Sequence, residues 1–193
     1  PSYIELVNKH IPAMKPYVSG TGSPMYYASR IAKKKYPEAK VVFIGPCIAK
    51  RKEAQRDECV DYVMTFEELH SVFRGLGIEL AQANPYKVAY ESVCEAHGFA
   101  QAGGVAGAVK SYLGPKADGI KMLQFSDFNK KSIGQMRAWA KTGKVDAQFI
   151  EMMACEGGCV TGPSAYNDSV SGKRQLNQDL LKRTLKYENY KEE

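Results

Sequence analysis

Apolar residues in this chain gather into short runs. Val41-Val42-Phe43-Ile44, residues 60–64, residues 120–125 and residues 147–153 are each only a few residues long and are bounded by polar or turn-forming residues. Runs of this length read as buried strands, the first over 40–45. Between them, apolar positions recur at helical spacing. A helix is expected over 2–10, with Ser2 to Glu5 as a capping box, broken by Pro12 and Pro16. Ser23-Pro24 puts a capping residue before a proline at the first helical position, so a helix should run to about Lys35 and end before Pro37. Thr65-Phe-Glu-Glu68 is a second capping box, opening a helix to about Arg74 that Gly75 and Gly77 end. Further helices are expected over 98–113, stopped by Gly114-Pro115, over 130–141 up to Gly143, and from about Arg174 onward. Residues 46–59 read as a polar loop, and 78–96 carry no period that assigns them. Strand, helix and strand in alternation predict an α/β fold with parallel strands flanked by helices.

Composition narrows the class without naming a function. The 193 residues suit one domain or two small lobes, and 44% hydrophobic residues suit a packed soluble core. No apolar run reaches the ~18 residues that span a bilayer, so no membrane role is expected. The start carries no secretory pattern, which gives the expectation of a cytoplasmic protein. Pro1 has no methionine before it, and we expect the chain to lie inside a longer protein. The net charge of +6 is concentrated in part at Lys33-Lys34-Lys35 and Lys50-Arg51-Lys52. A basic surface attracts an acidic redox partner. Nucleic acid is disfavoured, because no helix-turn-helix, RNP or zinc-finger spacing is present.

Chemistry enters with the five cysteines. An odd number in an α/β chain of this size argues against a disulfide framework and for reduced thiols that bind metal. Cys155 and Cys159 flank two glycines just after the strand at 147–153, and Gly45-Pro46-Cys47 directly follows the first strand. Glycine lets the Cys155–Cys159 loop fold back and aim two sulfurs at one point. Ligands of parallel sheets gather beyond the carboxyl ends of strands, so the two thiol sites are expected to share one metal site. The spacing leaves zinc open, but zinc would want a second clustered pair, and Cys47 stands alone in its loop. The three-cysteine pattern of radical enzymes that cleave S-adenosylmethionine fails, because Gly162 stands where the third thiol belongs. An iron–sulfur cluster with four thiolates is the better candidate. Cys47, Cys155 and Cys159 supply three, and the fourth is Cys59, Cys94 or a residue upstream of Pro1.

At these residues the chain resembles the iron-only, di-iron hydrogenases. Pro46-Cys47-Ile48-Ala49-Lys50-Arg51-Lys52-Glu53 is similar to the family segment Met-Pro-Cys-x-x-Lys-x-x-Glu. Glu151-Met152-Met153-Ala154-Cys155-Glu156-Gly157-Gly158-Cys159 is similar to Glu-x-Met-Ala-Cys-x-x-Gly-Cys. Pro1-Ser2-Tyr3 resembles the Pro-x-Trp end of a third segment, and Ala102-Gly103-Gly104-Val105 resembles a Thr-Gly-Gly-Val helix start.

The resemblance implies that residues 1–193 are the C-terminal part of a hydrogenase catalytic (H-cluster) domain, truncated at its N-terminus. It implies a 4Fe-4S cubane held by Cys47, Cys155 and the residue before Pro1. Cys159 would bridge to a di-iron centre carrying CO, cyanide and a bridging dithiolate. Lys50 would donate to a cyanide, Met153 would pack beside the di-iron centre, and Ser19 would lie on a proton path, with Ser23-Pro24 also matching the pattern. The implied reaction is reversible reduction of protons to H2. The implied partners are a ferredoxin-like electron donor, or fused iron–sulfur or signalling domains, together with hydrogenase maturation proteins. Gly45 stands where the catalytic family has methionine, and the glycines after Cys159 are fewer than usual. Both departures resemble the divergent, hydrogen-sensing branch. A glycine at position 45 is expected to leave a space beside the di-iron centre. A non-catalytic iron–sulfur assembly or scaffold protein is the alternative, and Lys50 and Met153 favour the hydrogenase because a cubane alone needs neither.

Simpler roles stand beside these. Cys59 and Cys94 read as structural core thiols. Strand alternation sends one of Met152 and Met153 toward the core and the other toward the site. Glu53 and Glu156 read as surface carboxylates, and His10, His70 and His97 show no partner spacing.

Overall fold

The computed structural model describes residues 1–58, 60–86 and 92–189. It divides into two compact units, Pro1–Pro85 with Pro163–Tyr166, and Tyr86–Gly162 with Asn167–Glu193. The α/β class with parallel strands holds in both.

The first unit contains α1 (Ser2–His10), α2 (Pro24–Lys35), β1 (Val42–Ile44), α3 (Lys50–Asp57), β2 (Tyr62–Met64) and α4 (Phe66–Gly75). β1 and β2 pair in parallel with Val42 opposite Tyr62, and α3 makes the crossover. A parallel pair needs such a crossover, and the polar stretch expected as a loop supplies it as two turns of helix. The end of α2 is tied to this sheet by Asp61. Its carboxylate accepts the Val41 N–H at 2.8 Å and faces Lys33 at 3.3 Å and Lys40 at 3.6 Å. The Val41 hydrogen bond is the largest influence holding the Asp61 carboxyl below its ordinary pKa. Both expected caps of α2 and α4 form: Ser23 accepts from the Tyr26 N–H, and Thr65 and Glu68 close a reciprocal box. The box expected at Ser2 does not form, because Ser2 is already inside the helix and Pro1 occupies the cap. Met25 and Val60 form one buried cluster, with Tyr26, Val41, Phe43, Ala54 and Val63 packed against them, and Val7, Ile11 and Met14 are buried as well.

The second unit contains α5 (Cys94–Gly98), α6 (Gly104–Leu113), β3 (Met122–Ser126), α7 (Lys130–Thr142), β4 (Phe149–Met153) and α8 (Ser169–Lys182). β3 and β4 pair in parallel with Gln124 opposite Glu151, and α7 is the crossover. Met136 and Trp139 on α7 are buried, and Trp139 meets Phe125 edge-on at 5.3 Å between ring centroids. The helix expected over 98–113 starts later, as α6 at Gly104, and the separate short helix α5 precedes it. α5 already ends at Gly98, residues 99–103 turn, and Gly103, whose backbone takes φ +87°, a left-handed conformation, is the position from which α6 starts. α8 begins at Ser169, earlier than expected, because the Asp168 carboxylate accepts the N–H groups of Val170 and Ser171 and caps it there.

Candidate functional site

Each unit places thiols directly beyond the carboxyl end of a parallel strand. In the first unit, Gly45 continues the sheet by donating its N–H to the Met64 carbonyl at 3.1 Å, and Cys47 follows after Pro46. The Cys47 carbonyl accepts the Lys50 N–H and so lies in the turn that starts α3. The returning segment closes this corner: buried Ser164 donates its N–H to the Pro46 carbonyl at 3.2 Å. Pro1 also lies within electrostatic reach of Cys47, Lys50 and Glu53.

Beside Cys47 stands a partly buried polar trio. The Lys50 ammonium donates to Glu53 Oε2 and to Ser23 Oγ, both at 2.8 Å, and the Ser23 hydroxyl contacts Glu53 Oε1. The lysine Nζ also sits 5.8 Å from the centroid of the Phe43 ring, close enough for a cation–π attraction. Glu53 is 2% exposed, which corrects its reading as a surface carboxylate. An i, i+3 pairing on a helix was the available signal, but it appears only once 50–57 is known to be helical. Ser23 therefore serves both as the cap of α2 and as a partner of Lys50. Ser19 lies apart from the trio, in an exposed turn where its hydroxyl accepts the Thr21 N–H at 3.1 Å.

The space expected at Gly45 is bounded. A Cβ built on Gly45 would lie 2.9 Å from the Phe43 ring, so the aromatic side chain two residues back already occupies that side.

In the second unit, Cys155 and Cys159 lie on a loop wound by its own backbone. Gly158 donates to the Cys155 carbonyl at 3.0 Å, and Gly162 to the Cys159 carbonyl at 2.9 Å. The loop is docked on residues 100–102 by two hydrogen bonds, Val160 N–H to the Ala100 carbonyl at 2.8 Å and Ala102 N–H to the Gly157 carbonyl at 3.1 Å. Gly158, at φ +106°, has no room for a side chain: a Cβ would lie 2.6 Å from the backbone of Gln101 and Ala102. This close approach, together with the left-handed φ, requires glycine there.

Glu151 fixes the surface on which that loop rests. Its side chain leaves β4 and accepts the Gly103 N–H and the Ala106 N–H, each at 2.8 Å, so it caps the N-terminus of α6 while 5% exposed. A carboxylate there satisfies two orphan donors and meets the positive end of the helix dipole. Met152 and Met153 follow on the same strand, and both are partly buried. Cys94 is a structural contact, its thiol directed at the Leu180 carbonyl at 3.6 Å. Cys59 lies outside the described residues. Neither unit alone, among the described residues, gathers three or more His, Cys, Asp or Glu side chains into a metal-holding group. The three sequence-selected thiols are divided between the units, Cys47 in the first and Cys155 and Cys159 in the second.

Comparison with known proteins supplies the family. Residues 1–163 match the model of the C-terminal domain of the iron-only hydrogenase large subunit. The periplasmic iron hydrogenase large subunit of Nitratidesulfovibrio vulgaris is 28% identical over 206 aligned positions, which cover 84% of this chain and 49% of that protein. The chain thus spans about half the length of that curated relative. Among solved structures, an FeFe-hydrogenase studied for oxygen damage to its H cluster superposes with a TM-score of 0.65 at 22% identity, covering 98% of this chain and 66% of that one. A variant of the FeFe-hydrogenase of Chlamydomonas reinhardtii superposes with a TM-score of 0.64 at 24% identity, covering 98% of this chain and 68% of the other. At these identities the structural likeness is one of fold.

Proposed function

The chain belongs to the iron-only hydrogenase large-subunit family, and from that premise we propose that it is the cluster-holding C-terminal part of a hydrogenase catalytic domain. The observation that carries this reading is the family match over residues 1–163, which contains both thiol segments, each beyond the end of a parallel strand. The proposed reaction is the interconversion of protons, electrons and H2.

The residues present fit the group that the family implies. A thiolate-ligated cluster needs soft sulfur donors, close backbone and a nearby cation for its anionic ligands. In the second unit the loop of Cys155 and Cys159, wound around two glycines with positive φ, supplies the first two, and in the first unit Cys47 has the Lys50 ammonium on the same turn. In this reading Cys47, Cys155 and Cys159, with a further ligand from the intact protein, would hold the iron–sulfur and di-iron group that the family implies, with its CO, cyanide and dithiolate ligands. When bound, that group stores the electrons and provides the position where protons and H2 interconvert.

This chain's own residues do the rest. Lys50 spends two of its three N–H donors on Glu53 and Ser23. The third is left for an anionic ligand such as cyanide, a charge-assisted contact held in place by the other two. Met153 offers a polarizable apolar neighbour. Ser19 is assigned to the proton path, and the Ser23–Glu53 contact lies next to Lys50. Gly45 in place of the family's methionine supports slow turnover or H2 sensing over fast catalysis. Electrons would come from a ferredoxin-like donor or from fused iron–sulfur or signalling domains, after loading by maturation proteins.

The test uses the intact, matured protein. Hydrogen evolution with a chemical reductant is measured beside infrared spectra of the CO and cyanide bands. Bands that respond to H2, with slow evolution, are expected. Cys159→Ser should abolish both while partly sparing cubane absorbance. A matured protein without CO or cyanide bands would overturn the assignment.

A further inference from the structure

We propose that Lys173 is a charge-positioning residue that raises the reduction potential of the cluster held by Cys155 and Cys159. The inference rests on the functional reading above, but the residue lies beyond the 1–163 family match.

The geometry is set by α8. Its start is fixed by the Asp168 cap, and its first turn packs against the short 3-10 helix Cys159–Thr161 that carries the second thiol. Gly172 permits this approach: it is buried, and a Cβ there would lie 3.3 Å from the Val160 carbonyl oxygen and 3.4 Å from a Val160 methyl. The next residue is Lys173. Its Cε and Nζ lie over the backbone of Gly157, midway between the two cysteines, so closely that a Cβ on Gly157 would overlap both atoms. Gly157 therefore does two things: it takes φ +80°, and it gives a lysine head group access to the thiol loop. Lys173 is partly buried, and among the described residues it makes no hydrogen bond or ion pair. A partly buried cation without a counter-charge gains from an anion beside it, and a thiolate cluster on the same loop would supply one.

The electrostatic consequence has one sign. Reduction by dithionite adds one electron to the cluster and breaks no bond, so the site gains one negative charge. A fixed cation nearby stabilises the reduced state more than the oxidised one, and net charge is among the factors that set cluster potentials. Partial exposure moderates the effect, so removing the charge should lower the reduced-to-oxidised ratio at a fixed potential by roughly three- to tenfold.

The experiment is an EPR-monitored redox titration of the four-iron cluster in the full-length protein. Wild type is compared with Lys173→Gln, Lys173→Met and Lys173→Arg, with iron content and circular dichroism measured on each. Both neutral variants should hold the cluster at a more negative midpoint, and Lys173→Arg should stay near wild type. An unchanged midpoint in the neutral variants overturns the inference alone. Equal shifts in the arginine and neutral variants also overturn it, since packing and not charge would then be responsible. A wild-type protein that takes up no four-iron cluster overturns the functional reading, and this inference with it.

Discussion

Lys50 and Glu53 form a 2.8 Å ion pair one helical turn apart on α3, with side-chain exposures of only 13% and 2%. At that depth the pair is not a surface salt bridge of small effect. Its two charges are desolvated, and each depends on the other and on Ser23. Removing one partner strands the other. Glu53→Ala should lower stability by about 3 kcal/mol, and Lys50→Met/Glu53→Met should lower it by less than the single change. Denaturant unfolding of the wild type and of both variants measures this. A double variant less stable than Glu53→Ala would show that Lys50 does not depend on Glu53.

Glu151 sets the second site in the same way, through backbone. Glu151→Ala leaves the N–H groups of Gly103 and Ala106 buried without an acceptor and should cost about 2–4 kcal/mol. Glu151→Gln keeps one acceptor and should cost less. Amide hydrogen exchange at Gly103 and Ala106 should rise in both variants, more in the alanine. Unchanged protection would show that the carboxylate is not the cap.

Phe43 sets the terms for changing Gly45. Gly45→Met forces a side chain against the Phe43 ring and should destabilise by about 1–3 kcal/mol through overpacking. Combining it with Phe43→Val opens that space and should recover most of the loss. Thermal melts of the single and double variants decide the matter. In the intact protein, only the double variant is expected to raise hydrogen evolution.

His97 gives the second unit a pH dependence. Burial is the first cause lowering its pKa below the ordinary His value, and the nearby Arg183 charge adds to it, with Asp179 opposing. Its Nε2 is 2.6 Å from the Ser92 hydroxyl. The unfolded chain then binds the proton more readily than the folded one. The stabilisation is fully present above the unfolded value of about 6.5 and is lost as pH falls from there through the folded pKa. An NMR titration of the His97 ring should show a midpoint below that of a reference peptide, and His97→Gln should flatten this part of the stability profile. A midpoint at or above the reference would refute the sign.

Much of this was legible without coordinates. Four strands, the Ser23 and Thr65 caps, the stop at Gly143 and the two thiol segments follow from local rules, because strand runs, caps and glycine stops each act within a few residues. The helix that was missed has a tertiary cause. Residues 50–57 are so polar that no apolar period marks a helix, yet tertiary packing makes them the crossover that a parallel pair demands. Once they are helical, Glu53 turns inward.

The sequence by itself determined the fold class and the family and marked the thiol segments, since those depend on local pattern and on short motifs. Only the tertiary structure decided which groups share a surrounding. Ser23 meets Lys50 across 27 positions, Glu151 meets Gly103 across 48, and Lys173 reaches Gly157 from a helix that no motif marked. Contacts of that kind depend on how elements pack, and packing is set by the whole unit's buried surface and not by any one stretch of it.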